Sequence, residues 1–235
     1  MPVKNILFDL DGTLLPMDAD RFIHAYLKRL SAYMVPYGYE PESFAKALWA
    51  GIGAMMHNDR TRTNEAAFWD VFSATLGKDT LRDQDVFEQF YLTEFQQVQH
   101  DCGYTPRAAQ LLAHLRAKGL RLILATNPVF PAVATHSRIR WAGMKVEDFD
   151  YITTYENSSC CKPNPAYFEE IMEKIGCSAD ECVMIGNDAE EDMAAAKLGI
   201  PTFLLTDCLI NRVDAPLSNW PHGGFDELQH WLDKL

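Results

Sequence analysis

Beyond Tyr104, short apolar segments alternate with segments of helical periodicity, and this alternation limits the possible folds more than any other feature. The apolar segments have the length of buried strands, and they lie at 121–126, 149–153, 182–185 and 202–205. The helical segments lie at 105–118, 131–142, 164–174, 189–198 and 225–235. Strands that are separated by helices form a parallel sheet with right-handed crossovers. The sequence therefore predicts an α/β fold whose core is a parallel sheet.

An apolar run at residues 3–10 adds a strand of the same kind, because it lacks the alternation of a strand with one wet face. The residues that follow it show helical periodicity only, with helix starts near Asp20, Pro41, Asn64 and Asp83. Ligands of open α/β sheets bind at the carboxyl ends of the strands, so an insertion directly after the first strand should cover that end. We therefore predict a core domain formed by 1–16 and 101–235, and an inserted α-helical cap domain at 17–100.

The composition of the 235-residue chain excludes several classes of partner. Its net charge of -12 disfavours nonspecific binding to nucleic acid or to an anionic membrane, since both need a basic surface. No apolar run has the length of a membrane helix, and the first strand begins too close to Met1 to leave room for a signal peptide. The six cysteines form no C-x-x-C pair, and without a secretion signal we expect them to be reduced thiols. We expect a cytoplasmic protein with no nucleic-acid or membrane partner, and the sequence leaves the oligomeric state open.

Two carboxylates, Asp9 and Asp11, lie where the first strand ends, and Gly12 and Thr13 follow them. Residues i and i+2 of a strand point to the same side, so the two carboxylates can converge just beyond its carboxyl end. At such a point they repel each other unless a cation or a proton lies between them. This favours a Mg²⁺ site, with Asp9 as a nucleophile whose charge is partly neutralised. The alternative is an N-terminal strand followed by a simple Asp-Gly turn.

Two further predicted loops carry groups that suit a phosphate ligand. Thr126 and Asn127 follow the strand at 121–126, where a hydroxyl and a main-chain N–H can bind a phosphate oxygen. Lys162 lies in a loop that Pro163 and Pro165 stiffen, which suits neutralisation of a nucleophilic carboxylate and of a phosphoryl group. The alternatives are turn capping by Thr126 and a solvated surface lysine.

The strand at 182–185 runs into an acidic stretch, Gly186-Asn187-Asp188 and the residues after it. Asp188, at the strand end, could complete a metal site, and Asp192, one helical turn later, could bond to Lys162 or to waters of the metal. Acidic residues in a first helical turn also favour the helix dipole, which accounts for Glu190 and Glu191.

Together, Asp9-Leu10-Asp11-Gly12-Thr13, the strand ending in Thr126, the Lys162 loop and residues 186–192 resemble the four motifs of the haloacid dehalogenase (HAD) superfamily. The helical insertion resembles the C1-type cap of that superfamily. The resemblance implies a Rossmann-like parallel sheet core and an enzyme that is a Mg²⁺-dependent phosphomonoester hydrolase. Its substrate would be a small phosphorylated metabolite, since a covering cap argues against a macromolecule.

The resemblance also implies roles for single residues. Asp9 would be the nucleophile that forms an aspartyl-phosphate, and Asp11 the general acid and base. Thr126 would bind the transferred phosphoryl group, and Lys162 would neutralise charge.

In the same resemblance, Mg²⁺ would be held by Asp9, Asp188 and the main-chain carbonyl of Asp11. Many members have Gly-Asp where this chain has Gly186-Asn187-Asp188, so a second alignment makes Asn187 the ligand. We prefer Asp188, because a carboxylate is the better Mg²⁺ ligand.

Three alternative functions follow from the same sequence. The dehalogenase branch of the superfamily typically lacks the second aspartate, so Asp11 argues against it. A phosphosugar mutase has the same core and differs in the acceptor of the phosphoryl group, which the sequence does not specify. A non-catalytic binding module would be expected to lose Asp9, Asp11 or Lys162, and all three are present.

The cap carries the most speculative candidates. The polar loop at 55–63 joins two predicted helices, and its Arg60 and Arg62 could contact an anionic substrate. The alternative is an exposed loop between helices. His136 and Arg138 follow the Thr126 loop on a predicted helix, and we expect both at the surface.

Overall fold

A computed structural model describes residues 3–234 and contains a six-stranded sheet in which every strand pairing is parallel. Its strands are β1 (Asn5–Phe8), β2 (Arg121–Leu124), β3 (Tyr151–Ile152), β4 (Cys182–Gly186), β5 (Thr202–Leu205) and β6 (His222–Gly223). The strand order is β3-β2-β1-β4-β5-β6, so β1 lies between β2 and β4. The predicted α/β fold with a parallel sheet core is confirmed.

The segment between β1 and the remaining strands is helical, as predicted. It contains α1 (Ala19–Met34), α2 (Pro41–Met56), α3 (Asn64–Leu76) and α4 (Gln84–Leu92), followed by a 3₁₀ helix over Glu94–Asp101. Side chains cap these helices: Asp18 accepts a hydrogen bond from the N–H of Arg21, and Thr63 accepts one from that of Ala66. Aromatic rings fill the space between the helices, many in edge-to-face contact, so this segment has a packed interior.

Four helices accompany the strands of the core, namely α5 (Pro106–Ala117), α6 (Ala132–Trp141), α7 (Pro165–Ile175) and α8 (Phe225–Leu232). The two faces of the sheet are both covered. Phe8 packs in a cluster with Leu124 and Ile185, whereas Leu7 packs on the opposite face with Ile123 and Met184. Burial on both faces explains why β1 is a continuous apolar run.

Two elements differ from what the sequence predicted. The helix predicted at 189–198 is instead a set of turns followed by a 3₁₀ helix over Met193–Leu198. At the start of this segment, the side chains of Asp188 and Asp192 bind main-chain N–H groups. Strand β6 was not predicted, since two residues are too few to show a period.

Within residues 3–234, no helix is both long and apolar enough to cross a membrane.

Candidate active site

Asp9 and Lys162 form a buried ion pair at the carboxyl end of β1. Lys162 Nζ lies 2.9 Å from Asp9 Oδ1 and 2.6 Å from Asp192 Oδ1, and the lysine is only 1% exposed. Burial alone would favour the neutral amine, but the carboxylates of Asp192 and Asp9 outweigh it and hold the pKa of Lys162 well above its usual value. The predicted contacts of Lys162 with Asp9 and Asp192 are therefore present.

The loop that carries Lys162 is anchored at both ends. The main-chain N–H of Lys162 donates to Asn127 Oδ1 at 3.2 Å, which ties the loop to the end of β2. Asn164 caps α7 by accepting a hydrogen bond from the N–H of Ala166, and Pro165 opens the helix. A lysine in such a loop loses little additional freedom when it binds a charged group.

Asp11 is bound to an arginine that we expected at the surface. Arg138 Nη1 donates to Asp11 Oδ2, the arginine is completely buried, and its guanidinium lies 4.3 Å from the centre of the Phe130 ring. Burial raises the pKa of Asp11 to about 6. The positive charge of Arg138 lowers this pKa in part, and the negative charge of Asp9 raises it further. Our surface prediction for Arg138 was wrong because the ion pair and the aromatic ring replace water around the guanidinium. Ala134 and Ala142, one turn before and after it, were the available signal of a buried helix face.

Thr126 and Asn127 lie at the end of β2, beside Asp9. The main-chain carbonyl of Thr126 accepts hydrogen bonds from Tyr167 Oη at 2.8 Å and from Thr153 Oγ1 at 2.6 Å, so the backbone here is fixed. Asn127 Nδ2 donates to Glu191 Oε2 at 3.0 Å. Sequence reasoning assigned Glu191 to the helix dipole alone and missed this contact.

The side chains of Asn187 and Asp188 have different surroundings. Asn187 is buried, its Oδ1 accepts from Thr13 Oγ1 at 2.9 Å, and its Nδ2 donates to the carbonyl of Cys208 at 2.7 Å. Asp188 Oδ1 accepts from two main-chain N–H groups, two and three residues later, and no hydrogen bond within residues 3–234 occupies its Oδ2. Asp188 therefore has an oxygen available to a cation, whereas the amide of Asn187 is already used.

Most of these groups line one cavity of about 240 Å³, between the strand ends and α1, whereas Lys162 and Arg138 lie behind its walls. Its walls include Asp9, Asp11, Thr126, Asn127 and Asp188. Over the described range, no three acidic, histidine or cysteine side chains converge closely enough to form a metal cluster by themselves. The carboxylate of Asp11 is turned to Arg138. The carboxylates of Asp9 and Asp188 and main-chain oxygen therefore remain as possible ligands of a cation. Hard oxygen donors of this kind suit Mg²⁺, which usually keeps several waters and binds few protein ligands.

Arg60 and Arg62 lie outside the walls of this cavity. Arg60 pairs with two glutamates of α7, at 3.7 Å for Glu169 and 3.1 Å for Glu173. Arg62 pairs with Asp70 on α3. The guanidinium groups thus bind nearby surface carboxylates, and the geometry gives no support to the expected substrate contact.

The family model for haloacid dehalogenase-like hydrolases matches residues 3–199. The chain belongs to this family. It is a hydrolase with the HAD-type core that the four motifs predicted.

Individual relatives are distant. A phosphoglycolate phosphatase from Colwellia psychrerythraea is 28% identical over 197 residues, which are 82% of this chain and 79% of that protein. A ribulose-1,5-bisphosphate 5-phosphatase from Halopiger xanaduensis is 26% identical, over 85% of this chain and 83% of that protein. The solved structure of a 2-haloacid dehalogenase from Pseudomonas syringae pv. Tomato DC3000 superposes with a TM-score of 0.62 at 20% identity and covers 99% of both chains, which shows a shared fold.

Proposed function

We propose that this hydrolase is a Mg²⁺-dependent phosphatase that cleaves small phosphomonoesters through an aspartyl-phosphate at Asp9. The ion pair between Lys162 and Asp9 carries this proposal, because it fixes a carboxylate at the strand end with a permanent positive charge beside it. The two relatives described above are phosphatases of small phosphorylated compounds, and they support the same reaction class.

In the first step, a carboxylate oxygen of Asp9 attacks phosphorus, and the bond from phosphorus to the ester oxygen breaks. The leaving alkoxide takes a proton from Asp11. In the second step, water attacks the phosphorus of the aspartyl-phosphate and gives a proton to Asp11, which releases phosphate and restores the Asp9 carboxylate and the protonated form of Asp11. Lys162, the Thr126 hydroxyl and nearby N–H groups would stabilise the phosphoryl oxygens throughout.

The protonation of Asp11 supports ester rather than halide chemistry. Burial raises its pKa to about 6, so roughly a tenth of the group is protonated at pH 7, far more than for a carboxyl of ordinary pKa. An alkoxide leaving group needs such a proton, whereas a halide leaves without one. The shared fold with a haloacid dehalogenase therefore does not transfer its reaction to this chain.

The charge of the cavity supports a cation cofactor. Apart from Arg212, the ionisable groups on its walls are carboxylates: Asp9, Asp11, Asp20, Asp188, Glu191 and Asp192. A phosphate dianion would be repelled from such walls, and bound Mg²⁺ supplies the neutralising charge. Asp9, Asp188 and the main-chain carbonyl of Asp11 are the residues that would hold it.

The helical segment at 17–100 is proposed as a cap that limits the substrate to small molecules. Ala19, Asp20, Phe22 and Ile23, all on α1, line the same cavity as Asp9. The cap therefore contributes directly to the walls that meet the leaving group.

The test is release of inorganic phosphate from a panel of sugar phosphates, nucleotides, phosphoglycolate and simple alkyl phosphates, with Mg²⁺ and with excess EDTA. The expected result is turnover of at least one ester that EDTA stops and added Mg²⁺ restores. No turnover on the whole panel, or turnover that resists EDTA, would contradict the proposal. Transfer of phosphate to a hexose phosphate in preference to water would favour a mutase instead.

A further inference from the structure

A second cavity, of about 110 Å³, lies between the helical segment and the core. Its walls on the helical side include Leu48, Trp49, Ile52 and Trp69. Its walls on the core side are formed mainly by the loop after β2, including Val129 and Phe130. No charged side chain lines it. Such a cavity favours apolar groups, because a charge placed there would lose its water without gaining a partner.

This apolar cavity adjoins the cavity at Asp9. Ile23, Val129 and Phe130 line both of them. Val129 lies three residues after Thr126, so the apolar walls begin immediately beside the proposed phosphoryl site. In an in-line displacement the leaving oxygen lies opposite the nucleophile. With Asp9 at the strand end, the leaving group therefore points away from the sheet and toward the helices.

We infer that the substrate of this enzyme is a phosphomonoester whose leaving alcohol carries an apolar group of about four to six carbon atoms, since an apolar cavity of about 150 Å³ accepts a benzene ring. The inference rests on the proposed phosphatase function and names its substrate class. It sets this chain apart from an enzyme for phosphoglycolate, whose leaving group is a carboxylate-bearing alcohol. Among the residues that line the cavity around Asp9, Arg212 is the arginine, and it lies 3.4 Å from the carboxylate of Asp20. Its charge is therefore already paired and is not free for the carboxylate of phosphoglycolate.

The test compares three esters of primary alcohols, so that leaving-group chemistry is similar: benzyl phosphate, ethyl phosphate and 2-phosphoglycolate, each with Mg²⁺. The expected kcat/KM for benzyl phosphate exceeds that for either of the others by roughly tenfold or more. Equal or faster hydrolysis of ethyl phosphate or phosphoglycolate overturns the inference and leaves the phosphatase function intact. If the enzyme hydrolyses neither these three esters nor any other phosphomonoester, both the inference and the phosphatase function are overturned.

A variant that fills the apolar cavity tests whether this cavity causes the preference for benzyl phosphate. In Ile52→Phe, a larger ring occupies the apolar cavity, and the benzyl-to-ethyl ratio of kcat/KM should fall to about one. Leu81→Phe makes a similar change at a site that is 55% exposed and lines neither cavity, and it should keep the wild-type ratio. A wild-type ratio in a folded Ile52→Phe protein contradicts the inference.

If Ile52→Phe does not fold, Trp49→Ala provides the second variant, because Trp49 is 53% exposed and its removal opens the cavity to water. Its benzyl-to-ethyl ratio should fall by severalfold. An unchanged ratio in this variant contradicts the inference as well.

Discussion

The fully buried guanidinium of Arg138 binds one oxygen of Asp11, whose side chain keeps 27% of its surface exposed. The other oxygen, Asp11 Oδ1, is buried and has no hydrogen-bond partner in the described part of the chain. The arginine thus fixes the direction of the carboxylate, and no hydrogen bond competes for Oδ1 as the site of a proton. Such an arrangement suits a general acid that must be presented repeatedly to the same leaving oxygen.

Replacing Arg138 should slow the protonation of poor leaving groups selectively. For Arg138→Met, we expect kcat on an alkyl phosphate to fall roughly 10²-fold, because Asp11 loses its fixed orientation. The loss on 2,4-dinitrophenyl phosphate should be much smaller, since its leaving group needs no proton. Steady-state kinetics with both esters measures the difference. Equal losses on both would mean that Arg138 acts on the fold rather than on Asp11.

Replacing Lys162 should harm both stability and turnover. In Lys162→Met the carboxylates of Asp9 and Asp192 lose their buried partner, and we expect a destabilisation of roughly 3 to 5 kcal/mol with loss of measurable turnover. Urea unfolding followed by circular dichroism measures the first effect. Lys4→Met removes an exposed lysine from its pair with Glu181 and should leave the unfolding midpoint where it is. A Lys162→Met protein as stable as the wild type would argue against the buried ion pair.

Gly12 should tolerate no side chain, because it has a φ of +87° and a Cβ there would overlap the amide of Asn187. That amide is fixed by Thr13 and Cys208, so it cannot move aside freely. Gly38 has a similar φ of +83° but open space around it, and it serves as the control. We expect Gly12→Ala to destabilise by about 1 to 3 kcal/mol more than Gly38→Ala in urea unfolding. Equal effects would show that backbone strain alone matters at Gly12.

The sequence predicted those parts of the site that follow from strand ends. Asp9, Thr126 and Asp188 each follow a buried apolar run, and parallel strands bring such ends to one edge. Lys162 was predicted for a related reason, since the adjacent prolines restrict its loop. These features are local in sequence, and the topology of the sheet makes them meet.

Contacts across long sequence separations were not predictable in the same way. Arg138 binds a carboxylate 127 residues earlier in the chain, and a helix pattern alone does not show which charged residue faces inward. Arg60 and Arg62 are the opposite case. Their polar loop in the cap suggested a contact with the substrate, but both arginines pair with surface carboxylates. The segment at 189–198 forms turns and a 3₁₀ helix over Met193–Leu198, and apolar periodicity alone does not distinguish these from an α-helix.

The central claim is that Asp9 itself carries the phosphoryl group, and trapping that group tests it most directly. The enzyme is quenched during turnover of a hydrolysed ester, reduced with borohydride, digested and analysed by mass spectrometry. An aspartyl-phosphate is reduced to homoserine, so we predict homoserine at position 9, and none in Asp9→Asn, which should be folded and inactive. Homoserine at another aspartate, or an Asp9→Asn protein that still hydrolyses the ester, would contradict the account.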